Sequence, residues 1–333
     1  MGGVGTIDAA GKIAILTTLQ PPIVGEISTT SRILTATVSV TVSSGPGFNA
    51  SFTGLAENST ALATQRLTNL STRATAGTED RAAIVGFVIA GLESKSVLVR
   101  AIGPALRDFG VPTALAAPRL DLMRGTTTLA TNTGWGSAAN ATEILSTSAR
   151  VGAFPLTATS ADSVILTTLA PGNYTALVSA TGTTAGPALV EVYDVSGGSL
   201  LQKLSNLSTR AVAGTGDNTL IAGVVVTGSV PKRVLLRAAG PSLAQFGLTG
   251  TLARPQLAIF SGATPLATNS GWSTSPDSSA IAEAALRVGA FAFPVGSADA
   301  ALVINLAPGA YTAQVTGVNS TTGLALVEIY EVP

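Results

Sequence analysis

The chain repeats itself after 137 residues, and this internal duplication constrains the fold more than any other feature of the sequence. The segment Asn69–Arg73 recurs as Asn206–Arg210, and Leu129–Trp135 recurs as Leu266–Trp272 with one change. The correspondence needs no gap over about 130 residues, and roughly half of its positions are identical. A tandem duplication of one unit follows, so the two copies are expected to share one fold.

Three parts of the chain are expected from this duplication. Residues 1–64 precede the repeats and form an amino-terminal β segment, residues 65–197 are the first repeat, and residues 202–333 are the second. The linker between the repeats is Ser196–Leu201, which contains two adjacent glycines. Each repeat is long enough to bury a core of its own.

Each repeat has the pattern of β structure. Alternating and β-branched residues mark about eight short stretches per copy, separated by Gly, Pro, Asn and Asp. Short helices are expected at Pro104–Phe109 and Pro241–Phe246, and longer ones over about Ala138–Val151 and from Ser275 to about Val288. We predict an all-β chain of two tandem antiparallel β-sandwich domains, jelly-roll-like, with one or two short helices each.

Several of these motifs resemble a known bacterial domain. The stretches Pro118–Leu122, Leu129–Asn132 and Leu169–Val178 look like the pre-peptidase C-terminal type of β-sandwich. That resemblance implies a non-catalytic accessory module of a secreted or surface protein, with a role in binding a substrate or a matrix. It covers both repeats and leaves out the first 60 residues.

The composition excludes several kinds of chemistry. The chain has no histidine and no cysteine, so it lacks an imidazole acid–base group, the usual ligands of zinc, haem and iron–sulfur clusters, and any disulfide. Its 18 Lys and Arg balance its 18 Asp and Glu, whereas binding of nucleic acid needs clustered cations. We therefore expect a protein that is not an enzyme, has no cofactor or metal ion and binds no nucleic acid.

The apolar stretches are too short to span a membrane as helices. The longest, Ala82–Leu92 and Leu220–Val230, have about eleven residues, against about twenty for a bilayer helix. Met1–Gly5 lacks the basic region of a secretory signal, so no such signal is visible. Charged residues make up only 11 % of the chain, which favours association with other copies.

The amino-terminal part contains two candidate strands. Arg32–Val42 alternates apolar and hydroxyl side chains, as a half-buried strand does, and Lys12–Leu19 is a second apolar stretch. Strands outside the repeat could pair with an open sheet edge of a neighbouring copy. The residues that would form this assembly contact are Ile13, Ile15, Leu16, Leu34, Ala36, Val38, Val40 and Val42.

Two functions agree with these observations. The leading hypothesis is a structural subunit of an extracellular bacterial filament or surface layer, a homopolymer built by β-strand addition. The alternative is a non-catalytic adhesin or carbohydrate-binding module of a secreted bacterial protein, with a glycan or matrix as its partner. Both place the protein outside the cell or on its surface.

Four residues are candidates for either a ligand site or a structural role. Trp135 and Trp272 occupy equivalent positions, where an exposed ring would stack on a sugar and a buried ring would anchor a loop. Arg100 and Arg237 are also equivalent, and each would serve a polar ligand or neutralise a buried carboxylate.

Overall fold

The computed structural model describes residues 66–78, 81–196 and 202–332 with their side chains, and five strands between residues 4 and 55 by their backbone alone. The chain divides into two compact units, Met1–Ala63 and Thr64–Pro333. The limits predicted for the two repeats as separate domains stay a prediction.

The amino-terminal unit consists of short antiparallel strands that pair with one another. β1 (Val4–Ile7), β2 (Lys12–Leu16) and β3 (Ile23–Glu26) form one sheet, in which β2 is hydrogen-bonded on both sides. β4 (Ile33–Val40) and β5 (Phe48–Leu55) form a separate hairpin. β2 and β4 lie within the two stretches predicted as strands.

Each repeat contains eight antiparallel strands at equivalent positions. In the first repeat these are β6 (Arg66–Ala76), β7 (Ala83–Gly91), β8 (Lys95–Ile102), β9 (Pro118–Arg124), β10 (Thr127–Asn132), β11 (Ser163–Leu169), β12 (Gly172–Ala180) and β13 (Gly186–Asp194). In the second they are β14 (Gln202–Ala213), β15 (Leu220–Thr227), β16 (Lys232–Ala239), β17 (Pro255–Ser261), β18 (Thr264–Asn269), β19 (Ala300–Leu306), β20 (Gly309–Gly317) and β21 (Gly323–Glu331). The predicted all-β antiparallel class is confirmed.

The helices are few and short. α1 (Ala141–Arg150) and α2 (Ser278–Arg287) each bury one face on the sandwich, and the segments Pro104–Phe109 and Pro241–Phe246 are 3₁₀ helices with the predicted limits. α1 ends before Gly152, whose φ of 73° places it in the left-handed region that favours glycine. None of the described helices is long and apolar enough to cross a membrane.

The strands form two sheets that run through both repeats. One sheet has the order β10-β9-β12-β7-β14-β21-β16-β19. The other has the order β11-β8-β13-β6-β15-β20-β17-β18. Each sheet therefore has four strands from each repeat. Within each sheet the two repeats join, at the β7–β14 pair in one sheet and at the β6–β15 pair in the other, and a bridge between Leu67 and Leu204 links the two sheets.

The two joints are equivalent under the 137-residue offset. Gly86 lies opposite Ser208 in the β7–β14 pair, and Gly223 lies opposite Ser71 in the β15–β6 pair. A Cβ atom at either glycine would overlap the serine Oγ atom, so a larger residue there would force the serine side chain to move. Both pairs also have a bulge at the same place, at Ser205 in one and Thr68 in the other. The repeats are thus related by an approximate two-fold axis.

A single apolar core fills the space between the sheets. It includes Leu70, Val85 and Leu122 from the first repeat and Leu207 and Val315 from the second, all at most 1 % exposed. Smaller apolar clusters lie on the outer faces, beneath α1 and α2. The two repeats therefore share one continuous sandwich core.

Candidate functional site

A buried ion pair lies on the outer face of the first repeat. Arg100 is fully buried, and its Nε atom lies 3.2 Å from Oε2 of Glu191. The Tyr193 hydroxyl donates a hydrogen bond of 2.8 Å to Oε1 of the same carboxylate. The ring of Phe154 covers the guanidinium at 4.4 Å. These contacts pair Arg100 with a buried carboxylate, and the choice between a structural and a ligand role for Arg100 and Arg237 stays a prediction.

The second repeat contains an equivalent buried ion pair, in which two aromatic rings contact the guanidinium group. Arg237 Nε lies 3.4 Å from Glu328 Oε2, and Arg237 Nη2 donates to the Phe291 carbonyl at 2.8 Å. The Tyr330 hydroxyl donates to Glu328 at 2.6 Å. The guanidinium lies 3.9 Å from the ring centre of Phe293. The pairing follows from register, because Arg237 and Glu328 are direct neighbours on β16 and β21.

The stability of the protein should fall as the pH rises, because burial raises the pKa of Glu191 and Glu328 above the ordinary 4.5. The facing arginines and tyrosines lower both pKa values only in part. The folded state thus holds these protons to a higher pH than the unfolded chain does. The free energy of unfolding then decreases as the pH rises from about 4.5 through the raised pKa values.

Urea unfolding between about pH 4.5 and 8 measures this dependence. In the double variant Glu191→Gln/Glu328→Gln the decrease should become shallower, because the amides do not titrate. An unchanged slope in the double variant would contradict the assignment of the slope to these two groups.

Both tryptophans are buried. Trp135 is 4 % exposed and its Nε1 donates to the Thr157 carbonyl at 3.1 Å. Trp272 is 8 % exposed and its Nε1 donates to the Pro294 carbonyl at 3.1 Å. Each ring packs under the helix of its repeat. The choice between a structural and a ligand role for them stays a prediction.

Each tryptophan also borders a small cavity next to the helix. The cavity beside Trp135 has a volume of about 290 Å³, and Ser148 is the one hydroxyl side chain among its described lining residues. The cavity beside Trp272 has about 150 Å³ and is also lined by Arg237. The structure thus brings Arg237 and Trp272 together, whereas Arg100 does not line the cavity of Trp135. With so few polar groups, neither cavity satisfies the hydroxyls of a sugar.

A second charged cluster links the two ends of the first repeat. Lys95 Nζ lies 2.7 Å from Asp194 Oδ2, and both side chains are fully buried. Arg66 Nε approaches the same oxygen at 3.5 Å. Two cations therefore share one carboxylate.

The second repeat has the same ratio of two cations to one carboxylate. Lys232 Nζ and Lys203 Nζ lie 2.5 and 2.6 Å from Oε1 of Glu331. The Glu331 side chain is 1 % exposed and that of Lys232 13 %, but the Lys203 side chain is 40 % exposed. Lys203 therefore presents a positive charge to solvent while it contacts the buried carboxylate.

A groove with a volume of about 590 Å³ lies beside Lys203, where β7 meets β14. We call it the junction groove. Gly86, Phe87, Val88 and Ala90 of the first repeat line it, and two of these, Gly86 and Ala90, are small. Its hydrogen-bonding side chains come from both repeats: Asn173, Tyr174, Thr175, Lys203, Ser205, Asn206, Ser208, Tyr330 and Glu331. Its volume is in the range of ligand-binding clefts, about 300–1,000 Å³.

A second cavity of about 730 Å³ borders the other end of the same two strands. We call it the arginine pocket, because Arg81 and Arg210 line it together with Ile84 of β7. Arg210 and Lys203 lie on the outer face of β14, at opposite ends of the joint. Among the described residues that line the two cavities, Glu331 is the one carboxylate.

Sequence patterns did not predict the junction groove. Gly86, Ser205 and Ser208 have no unusual spacing, and the groove exists only because strands of different repeats pair. The recurrence of Arg73 as Arg210 was visible, but not the neighbours of either arginine. The described residues contain no cluster of three or more Asp and Glu side chains that could hold a metal ion.

The predicted assembly residues lie where the structure describes no side chains. Ile13, Ile15 and Leu16 belong to β2, and Leu34 through Val40 belong to β4, while Val42 lies outside the described residues. Assembly through these residues stays a prediction.

Comparison with known proteins gives little similarity. No protein-family model matches the chain, and no curated protein is similar to it. The resemblance to the pre-peptidase C-terminal domain is therefore not confirmed beyond the tandem β-sandwich.

Among solved structures, the chain is similar to tandem CBM51 modules of Sp3GH98, a family 98 glycoside hydrolase from Streptococcus pneumoniae SP3-BS71. The identity is 8 %, the TM-score is 0.21, and the match covers 99 % of this chain and 88 % of that chain. It is also similar to the M60 catalytic domain with two CBM51 domains of Clostridium perfringens ZmpB, with 6 % identity, a TM-score of 0.19 and 98 % of this chain covered. The match spans about half of that chain, 49 %. Similarity at this level carries no functional argument.

Proposed function

We propose that this chain is a non-catalytic, extracellular binding protein that holds a carbohydrate in the junction groove. The observation that carries the proposal is the convergence of hydrogen-bonding side chains from both repeats on an open groove of about 590 Å³. Sugars need many such partners, because each hydroxyl that is removed from water without one costs free energy.

The chemistry of the groove supports a polyhydroxylated ligand better than an apolar one. Asn173 supplies an amide that both donates and accepts, and Ser205 and Ser208 supply hydroxyls that do the same. The small residues Gly86 and Ala90 leave room for a ring above the strands. The buried carboxylates face cations or backbone N–H groups, as Asp162 does with Gly103, and therefore serve the fold.

A tryptophan placed in the groove should weaken binding of the polysaccharide. Ser208→Trp adds a large side chain on the outer face of β14 and leaves the core untouched, so we expect at least a tenfold loss of affinity, about 1.4 kcal/mol. The measurement is affinity electrophoresis or pull-down against a panel of soluble and insoluble polysaccharides, with circular dichroism as a test of folding.

The duplication offers a matched control. Ser71→Trp makes the same change at the equivalent position of the opposite joint, where Ala310 replaces the groove amide of Asn173. Ser71→Trp should retain binding. If the wild-type protein binds no polysaccharide, or if both variants bind as it does, the proposed function is wrong.

A further inference from the structure

We infer that the junction groove and the arginine pocket together select a polysaccharide that carries anionic groups. This inference rests on the proposed function and names its ligand class. Its basis is an excess of positive charge along the outer face of one strand pair, in a chain whose 18 cations and 18 anions balance overall.

The first part of this excess lies at Lys203. Lys203 and Lys232 both contact Oε1 of Glu331, so the cluster has one more positive than negative charge. The Lys203 ammonium has three hydrogens and gives one to Glu331. Its 40 % exposed side chain can direct the others to a ligand in the groove. A carboxylate or sulfate there would supply the missing negative charge and form a charge-assisted hydrogen bond.

The second part lies in the arginine pocket. Arg81 and Arg210 both line it, and no carboxylate does so among its described lining residues. Glu79 and Asp80 lie outside the described residues. Planar guanidinium groups bind carboxylate and sulfate oxygens through two parallel hydrogen bonds. The pocket therefore offers a second anion position.

The distance between the two positions fits a polymer. Lys203 and Arg210 pair with Ala90 and Ile84, which are six residues apart on β7, and this corresponds to about 20 Å at roughly 3.3 Å per residue. Ser205 and Ser208 lie between them and line the junction groove. A chain of sugars with repeated anionic groups would contact a cation at each end and hydroxyls in the middle. A single small anion would occupy only one position.

The test compares ligands that differ in charge alone. Polygalacturonate and its methyl-esterified form differ in carboxylate charge, and dextran sulfate and dextran differ in sulfate. Binding of the full chain is measured by isothermal calorimetry at about 0.05 and 0.5 M NaCl. At least one charged polymer should bind about tenfold or more tightly than its neutral form, and salt should weaken that binding.

Two variants test whether the positive charge that binds the polymer is that of Lys203. Lys203→Gln keeps a donor for Glu331 and removes the positive charge, so it should lower the affinity for the charged polymer about tenfold and reduce the difference in affinity between the charged polymer and its neutral form. Arg66→Gln removes one positive charge at the equivalent position of the opposite joint, so this variant has the same net charge as Lys203→Gln. Its affinity for the charged polymer should equal that of the wild-type protein.

Three outcomes would overturn the inference: equal affinity for charged and neutral polymers, no effect of Lys203→Gln, or equal effects of the two variants. If charged and neutral polysaccharides bind equally well and Ser208→Trp weakens that binding, the inference fails alone and the proposed function stands. If no polymer binds, both fail.

Discussion

Replacing Arg237 by leucine is expected to lower the free energy of unfolding by about 3–5 kcal/mol, because it leaves the carboxyl group of Glu328 without its cation. Glu328 is 4 % exposed and retains only the Tyr330 hydroxyl as a partner in that variant. Arg237 also packs on two phenylalanine rings and donates to a backbone carbonyl. Leucine replaces part of the packing volume but none of the polar contacts.

Urea unfolding of the full chain measures this loss. A matched control is Arg287→Leu, which removes a cation from an exposed pair with Glu283, where the side chains are 52 % and 55 % exposed. That change should cost about 0.5 kcal/mol or less. The double variant Arg237→Leu/Glu328→Leu should recover part of the loss, since it removes the orphaned carboxyl. Equal costs for Arg237→Leu and Arg287→Leu would show that the buried pair contributes nothing.

Gly240→Ala is expected to destabilise the protein by about 3 kcal/mol, at the upper end of the range for an overpacked site. Gly240 precedes the 3₁₀ helix Pro241–Phe246, and its N–H donates to Asp299 Oδ1 at 2.7 Å. An added Cβ atom would overlap the carbonyl oxygen of Leu252, which belongs to the backbone and cannot rotate away. The turn must shift, and the hydrogen bond to the buried Asp299 is then lost or strained.

Thermal unfolding followed by circular dichroism checks this effect. Gly103→Ala, the equivalent change in the first repeat, should have a similar cost, because its Cβ atom would meet the carbonyl oxygen of Leu115. Gly182→Ala is the control, since a Cβ atom there meets no atom within 4 Å. If Gly240→Ala melts at the same temperature as Gly182→Ala, close packing of this turn is not what requires glycine.

Local patterns predicted most of the secondary structure. A proline at the start and a glycine after the end predicted the limits of Pro104–Phe109, because both residues restrict the backbone at their own positions. The helix expected over about Ala138–Val151 is shorter by a few residues at its start. These features depend on neighbours in sequence, so one sequence suffices to find them.

The pairing of strands between the repeats could not be predicted in this way. β7 and β15 have equivalent sequences, so β6 has two partners with the same apolar pattern, one in its own repeat and one in the other. Periodicity cannot distinguish between them, because both choices bury the same side chains. The junction groove depends on that choice and was missed for the same reason.

The sequence shows which charged residues recur in both copies, but not which residues they contact. Arg100 and Arg237 were candidates because they occur in both copies, yet their partners are 91 residues further along the chain, at Glu191 and Glu328. Only the register of β8 with β13 and of β16 with β21 brings each arginine to its carboxylate. Contacts between neighbouring strands depend on which strands pair, and local sequence patterns do not determine that pairing.

The crossed joint between the repeats has a consequence for how such chains can grow. In the first repeat the edges of β6 and β7 pair with β15 and β14 of the second repeat. Two copies therefore occupy all four of these strand edges. An arrangement with two-fold symmetry closes on itself. A third copy added by another duplication would find these edges occupied. Longer relatives built on this joint should therefore contain even numbers of copies, arranged as successive closed pairs.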